Sequence, residues 1–430
     1  MPFSQLSRKG APMDGLMRTL GEVFISILRP FMGLWLKYLV NCRATKPFPD
    51  GLKPPYLILS THVSVFEMPY LLMSVKPNPV IVLHELHLTE KVFVLLLSMV
   101  GSIWRMQGVP DARTIRQMKR AVKKGRSVLI YPEGDLNWDG DSLALDMSMA
   151  RVARFIGAPV LVFRTKGSYM AFPRWAHRAR RGRVDVEYEL AIKAEEFAVL
   201  TDEQVLERLN KAFIHSERRW LSEGEGKSQN YSSSKPALGI ERLLFMCPSC
   251  GCDSCMKSDN YSIACTKCGY SARVDADLKL SDEGRSGFAD VWGWHDWQLA
   301  EWMAKAGAAM RDGSLNLSCS PLKAETVSIE PAPEGGGDFT HRILKMPVRL
   351  DAASASLTPS GISLIRADGK PELIIPMAEI RSVQVFIVGI YDSNWLIVMT
   401  DHAYYKLQLI GGGNPCYAWL LAIKGHLAED

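Results

Sequence analysis

His62 and Glu67 stand five residues apart at the end of a short apolar run, PYLILSTHVSVFE. A histidine held by a carboxylate is a general base, because the acid fixes the tautomer and supports the imidazolium that forms. Five residues turn about 140° round a helix, so the two do not face each other on one helix. They meet if His62 lies on a strand-to-helix turn and Glu67 in the first helical turn. Alone, such a spacing is expected by chance among 9 His and 46 acidic residues.

Metal chemistry is written more specifically. Six of the nine cysteines fall between Cys247 and Cys268. Local clustering of this kind indicates metal binding in a reducing compartment rather than a disulfide scaffold. Cys247-x2-Cys250 and Cys265-x2-Cys268 are each followed by a glycine, Gly251 and Gly269, as a tight knuckle turn requires. Four thiolates at this spacing match a structural tetrahedral zinc site, with an iron–sulfur set as the alternative. Cys252 and Cys255 are expected to be bystanders, with a ligand swap as the alternative.

The pair at 62 and 67 gains meaning from three later blocks in a fixed order: Gly101-Ser-Ile-Trp-Arg105, then Tyr131-Pro-Glu-Gly134, then Gly157-Ala-Pro-Val160. This series resembles the glycerolipid acyltransferase family, the lysophosphatidic-acid-acyltransferase-like proteins, over roughly residues 50–215. That family's signature is His-x4-Asp, a Gly…Arg block, Phe-Pro-Glu-Gly and a Gly-x-Pro block. The resemblance implies that His62 takes the proton from an acceptor hydroxyl and that Glu67 orients it. It also implies that Arg105, Glu133 and Gly134 hold the acceptor lipid, and that the acyl donor is a thioester of coenzyme A or acyl carrier protein. Three positions depart from the pattern. Glu67 replaces aspartate, Tyr131 replaces phenylalanine, and Asp135-Leu136-Asn137 stands where the family often has Thr-Arg-Ser. The last change removes a cation useful for phosphate. Another cation must then compensate, or the acceptor has a zwitterionic or amine-bearing head group.

These residues need elements to place them. From about 53 to 200, apolar runs ending in polar residues (PYLILSTH, PVIVLHE, SVLIYPEG, APVLVFRTKG) alternate with helical stretches, notably 113–124 and 143–156. That alternation predicts an α/β layer with a largely parallel sheet, whose strand ends are the usual place for a site. Upstream, Arg18, Glu22, Arg29 and Lys37 all fall within about 100° of one another round a helix. An apolar helix with one thin charged stripe suits a bilayer interface, and Pro30 is expected to kink it. The stretch 92–104 is expected to be a core helix or a second shallow insertion. Its 13 residues fall short of the roughly 20 a spanning helix needs.

Downstream, GEGKSQNYSSSKPALG (224–239) is expected to be a linker, and PAPEGGG (331–337) a loop. A Trp-rich helical segment (288–310) comes after the cysteines, with its tryptophans expected in a core. Alternating strands closed by a helix at 415–427 loosely resemble a small pleckstrin-homology-like barrel. The expected fold is therefore an acyltransferase-type mixed sheet flanked by helices, then a small zinc ribbon, then a β-rich pleckstrin-homology-like C-terminal domain. Its expected divisions are amphipathic N-terminal helices (1–50), an acyltransferase domain (51–227), the zinc ribbon (240–275), a helical connector (276–330) and the β-rich domain (345–430).

Composition fits this plan. With 47% apolar and 23% charged residues, the 430-residue chain can bury sizeable cores, which excludes a disordered chain, a coiled coil or collagen. The net charge of +5 is uneven, since residues 1–230 hold 33 Lys+Arg against 23 Asp+Glu. Two basic clusters, 113–126 and 174–183, suit anionic lipid, acyl carrier protein or the phosphates of coenzyme A. The acidic balance of the remainder weighs against nucleic acid as partner of the ribbon. The sequence thus points to an acyltransferase of phospholipid biosynthesis, peripheral or monotopic on the cytoplasmic face of a membrane. It would move a fatty acyl group to the free hydroxyl of a 1-acylglycerol-3-phosphate-like acceptor. A non-catalytic lipid-binding scaffold on a decayed acyltransferase fold is the alternative.

Overall fold

The computed structural model describes residues 12–86, 101–105, 112–223, 226, 230–282, 284–331, 342–388, 393–411 and 415–429. The chain divides into two units. The first holds residues up to Pro173 and Arg181–Gln229; the second holds Arg174–Arg180, Asn230–Pro331 and Arg342–Asp430.

In the first unit, α1 (Pro12–Val40) leads into β1 (Cys42–Lys46) and β2 (Leu57–Ser60). Next come α2 (Glu67–Ser74), β3 (Val80–His84), β4 (Ser102–Arg105), α3 (Ala112–Lys123), β5 (Val128–Ile130), α4 (Met147–Ile156) and β6 (Val160–Lys166). The short α5 (Ser168–Ala171), β7 (Val184–Ile192), α6 (Asp202–Phe213) and α7 (Glu217–Glu223) complete it. The strands form one sheet in the order β1-β7-β6-β2-β5-β3-β4. Pairing is parallel from β6 through β4 and antiparallel between β6 and β7, while β1 runs parallel to β7. The central strands are apolar on both faces because helices cover both. Leu57, Leu59, Val128, Ile130, Val160 and Val162 meet Met149, Ala153, Leu209 and Phe213 in one core.

One expectation changes here. Ser102–Trp104 belong to edge strand β4 rather than to a core or membrane helix, and residues 92–100 of that stretch lie outside the described residues. A short apolar run has no period that separates strand from helix. Helix α1 runs on through Pro30, since a proline removes one bond from a ladder that the neighbouring turns keep.

The direction in which α1 faces is informative. Two of its charges, Glu22 and Arg29, turn toward the protein: Arg29 donates to Leu72 O at 2.9 Å, Val75 O at 3.1 Å and Asn78 Oδ1 at 3.0 Å. Glu22 accepts from Asn78 N–H at 2.8 Å. Ile25, Leu36 and Val40 are buried beside them. Leu20, Val23, Ile27, Phe31, Leu34 and Tyr38, spaced three or four apart, point outward, with Phe31, Leu34 and Tyr38 67–75% exposed. Residues Thr19–Val40 are long and apolar enough to cross a membrane by length and composition.

After Arg174–Arg180, the second unit continues with residues 230–239 of the polar stretch expected to be a linker. Tyr231 and Ala237 are buried, and Tyr231 N–H donates to Asp277 at 2.8 Å. A four-stranded antiparallel sheet carries the cysteines: β8 (Met256–Ser258), β9 (Ser262–Cys265), β10 (Ser271–Val274) and β11 (Leu280–Ser281). Helix α8 (Val291–Arg311) buries Trp292, Trp294 and Trp302, as expected of a core segment. Ten strands come next: β12 (Leu317–Cys319), β13 (Leu322–Pro331), β14 (Arg342–Leu344), β15 (Val348–Leu350), β16 (Ser354–Thr358), β17 (Gly361–Ile365), β18 (Pro371–Pro376), β19 (Ser382–Val388), β20 (Ser393–Met399) and β21 (Ala403–Leu409). They form two antiparallel sheets, β12-β16-β17-β18 and β14-β13-β21-β20-β19 with β15 also paired to β13. Helix α9 (Cys416–Glu429) closes the chain. Residues 332–337 of the expected loop lie outside the described residues.

Candidate active site and four-thiolate centre

Because β2 through β6 run parallel, their C-terminal ends share one edge of the sheet. His62 leaves β2 on the turn before α2, and Glu67 is the first residue of that helix. His62 Nδ1 lies 3.4 Å from Glu67 Oε2. Glu67 is fully buried, whereas the His62 side chain is 25% exposed. The second carboxylate oxygen, Oε1, accepts from Val63 N–H at 3.0 Å, Thr165 Oγ1 at 3.1 Å and Thr61 Oγ1 at 3.4 Å. Burial pushes the Glu67 carboxyl's proton affinity up, and the bonds from His62, Val63 and Thr165 oppose that. With Nδ1 turned to the carboxylate, Nε2 is the ring nitrogen left to accept a proton.

The strand end of β5 supplies the next wall. Tyr131 stacks on His62 with ring centroids 4.1 Å apart and 30° between planes. Burial, then the charge of Glu67, raises its phenol well above the usual range. Gly134 N–H donates to Tyr131 O at 3.1 Å and closes the turn, with Gly134 at φ +78°, a conformation that favours glycine. Glu133 Oε1 accepts from His62 N–H at 3.2 Å, and Oε2 accepts from Asn137 Nδ2 at 3.4 Å. Burial is the main cause that pushes Glu133 up to about 7. Asn137 N–H in turn donates to His62 O at 2.7 Å.

The structure therefore brings His62, Glu67, Glu133 and Gly134 to one corner. Arg105 ends β4, opposite His84 of β3. It sits three strands from β2, roughly 14 Å at the usual strand spacing. It shares the edge at a distance from the pair. Sequence reasoning does not find Thr61 or Thr165, and it meets Asn137 only as a departure from the family pattern. Thr165 stands near the polar end of the run APVLVFRTKG, the one signal that points to it.

In the second unit, Cys247, Cys250, Cys265 and Cys268 converge, with all four Sγ atoms within 4.8 Å of one another. Cys247 Sγ lies 3.6 Å from Cys268 Sγ, and Cys250 Sγ lies 3.7 Å from Cys265 Sγ. A tetrahedron with Zn–S bonds of about 2.3 Å has edges of about 3.8 Å, so the donor set fits zinc. Gly251 and Gly269, at φ +66° and +74°, return their N–H groups to Cys247 O and Cys265 O at 2.9 and 3.0 Å. The two knuckles are thus built alike. Cys252 and Cys255 stand outside this set and are joined by a disulfide.

Residues 39–164 match the Acyltransferase family model. No curated protein matches the chain. Among solved structures, the chain is similar to the 1-acyl-sn-glycerophosphate (LPA) acyltransferase PlsC from Thermotoga maritima, at 17% identity and a TM-score of 0.38, covering 49% of this chain and 81% of that one. The parallel strands β2 to β5, the His62–Glu67 pair and the Tyr131–Gly134 turn all lie inside the matched segment, and residues 39–164 of this chain are an Acyltransferase-family domain.

Proposed function

We propose that this chain transfers a fatty acyl group from a coenzyme A or acyl carrier protein thioester to the free hydroxyl of a lysophospholipid. His62 Nε2 takes the hydroxyl proton as the oxygen attacks the thioester carbonyl. The C–S bond breaks, and the imidazolium returns the proton to the departing thiolate. Glu67 holds the ring and offsets the positive charge that develops on it. No covalent acyl-enzyme is needed. Glu133 and Gly134 hold the acceptor, with Arg105 further along the edge as a guanidinium fork for its phosphate. The observation that carries this reading is the 3.4 Å approach of a partly exposed His62 to a fully buried Glu67 within the Acyltransferase segment.

A bilayer is the natural source of such an acceptor. Helix α1 directs Glu22 and Arg29 toward the protein and shows a stripe of apolar residues outward, unlike a surface helix in water. The reading therefore includes monotopic association with a membrane. Zinc, held by Cys247, Cys250, Cys265 and Cys268, would supply cross-linking of the second unit, which serves as an accessory module. The test is thioester release by the purified protein against a panel of lysolipids, read beside His62→Ala. Release that needs both a lysolipid and His62 supports the reading. Release that is absent with every lysolipid, or equal in His62→Ala, overturns it in favour of a non-catalytic lipid-binding protein.

A further inference from the structure

A second histidine–glutamate pair lies outside the residues that match the family model. His215 Nε2 is 2.9 Å from Glu217 Oε2, and both side chains are buried. Glu217 has no exposed surface, and it bonds to both of the segments that wall the candidate site. Its carboxylate accepts from Gly167 N–H at 2.9 Å and Met170 N–H at 3.3 Å, holding the α5 turn. Ser64, on the His62 turn, donates to Phe172 O at the end of that same α5 turn. The backbone of residues 215–217 grips the other segment, 137–142. Ser142 N–H donates to His215 O at 2.9 Å, His215 N–H to Ser142 Oγ at 2.7 Å, and Glu217 N–H to Gly140 O at 3.3 Å.

Gly140 is pressed into this clamp. At φ +89°, a Cβ there would come within 2.9 Å of both the Tyr169 ring and Glu217 Cβ. Gly140 N–H donates to Asn137 Oδ1 at 2.7 Å, and Asn137 bonds both Glu133 and the His62 carbonyl. The His62–Glu67 pair has independent anchors in Thr61, Val63 and Thr165. Glu133 is held differently: among the described residues, its bonds run to His62 N–H, Asn137 and Leu143 N–H.

We infer that Glu217, with His215, is a positioning residue that fixes the acceptor-side loop 137–142, and through Asn137 fixes Glu133, while leaving the donor side untouched. This rests on the acyltransferase reading above. It assigns a role in acceptor binding to residues beyond the matched segment.

The experiment measures KM for acceptor and donor separately in full-length Glu217→Gln, Ser142→Ala and His215→Gln. Thermal unfolding and amide hydrogen exchange of residues 137–142 are read alongside. In Glu217→Gln the side-chain amide presents an accepting oxygen on one side only, so one of the two α5 bonds is lost. Expected are a fivefold or greater rise in acceptor KM for Glu217→Gln and Ser142→Ala, an unchanged donor KM, and faster exchange at the Gly140 amide. His215→Gln, which keeps a donor where Nε2 stood, raises acceptor KM by less than Glu217→Gln does. A lowered melting temperature with both KM values unmoved overturns the inference, as does an equal rise in both. If Glu217→Gln does not fold, Ser142→Ala decides alone. A parent protein that transfers to no lysolipid sinks the acyltransferase reading, and the acceptor role falls with it; altered KM values are not needed to see that failure.

Discussion

Glu67 stands where the sequence pattern this chain resembles has aspartate, and its longer side chain still meets the imidazole. The extra methylene lets Oε1 sink among Val63, Thr61 and Thr165 while Oε2 still reaches the imidazole. Replacing His62 by alanine is expected to lower turnover by about 10²-fold or more, the usual contribution of a general base, while vesicle binding in a flotation assay persists. Glu133 yields a stability prediction. Its ordinary value is 4.5, and burial pushes it up to about 7. Below the lower value, folded and unfolded chains are both protonated there. As pH rises toward 7, the unfolded chain releases a proton the folded chain keeps, so stability falls by about 3 kcal/mol and then levels off. Urea midpoints taken from pH 4.5 to 7.5 should show this slope in the parent and a flatter one in Glu133→Gln. The histidine, the glutamates and the glycine of this corner are legible in the sequence because their order along the chain is distinctive. Thr165 is not, because it reaches Glu67 across 98 positions and only through the pairing of β6 with β2.

Helix α1 is legible in its pattern but not in its orientation. Angular positions show that Arg29 and Glu22 share a face, and they do not say which way that face turns. What decides it is the C-terminal end of α2, whose region offers the carbonyls of Leu72 and Val75 to a guanidinium. Arg29→Ala should therefore cost about 1–3 kcal/mol, from leaving partners of a charged donor unmatched in a partly buried place, measured by chemical unfolding. The outward stripe makes a separate prediction. Phe31→Glu with Leu34→Glu should weaken binding to phospholipid vesicles at least tenfold and leave the melting temperature nearly unmoved, because both residues touch mainly solvent. Unchanged vesicle binding would remove the membrane role of this helix. Strand β4 escapes a sequence-based reading because a four-residue apolar segment carries no period of its own; its place at the sheet edge comes from pairing with β3.

Over the whole molecule, the thiolate centre is the most readable feature, since both knuckles are local in sequence and need only one β-hairpin to bring them together. Purified protein should carry one zinc per chain by atomic emission. Cys265→Ser should lose it and unfold residues 245–275 as judged by exchange protection. The division into units is not readable, because residues 174–180 lie within the first unit's stretch of sequence and belong to the second. Trp175 is fully buried there, with the Arg180 guanidinium 4.8 Å from its ring centroid. Arg180 donates to Pro236 O at 2.8 Å, and Arg174 to Val385 O. Such an arrangement sets a timetable for biosynthesis. As the chain leaves the ribosome, the loop around Trp175 emerges well ahead of its partners: Arg180 waits 56 positions for the carbonyl that receives it, and Arg174 waits 211. A nascent chain halted at residue 229 lacks both of those partners, and the emission of that indole is expected to shift to the blue when the rest of the polypeptide arrives.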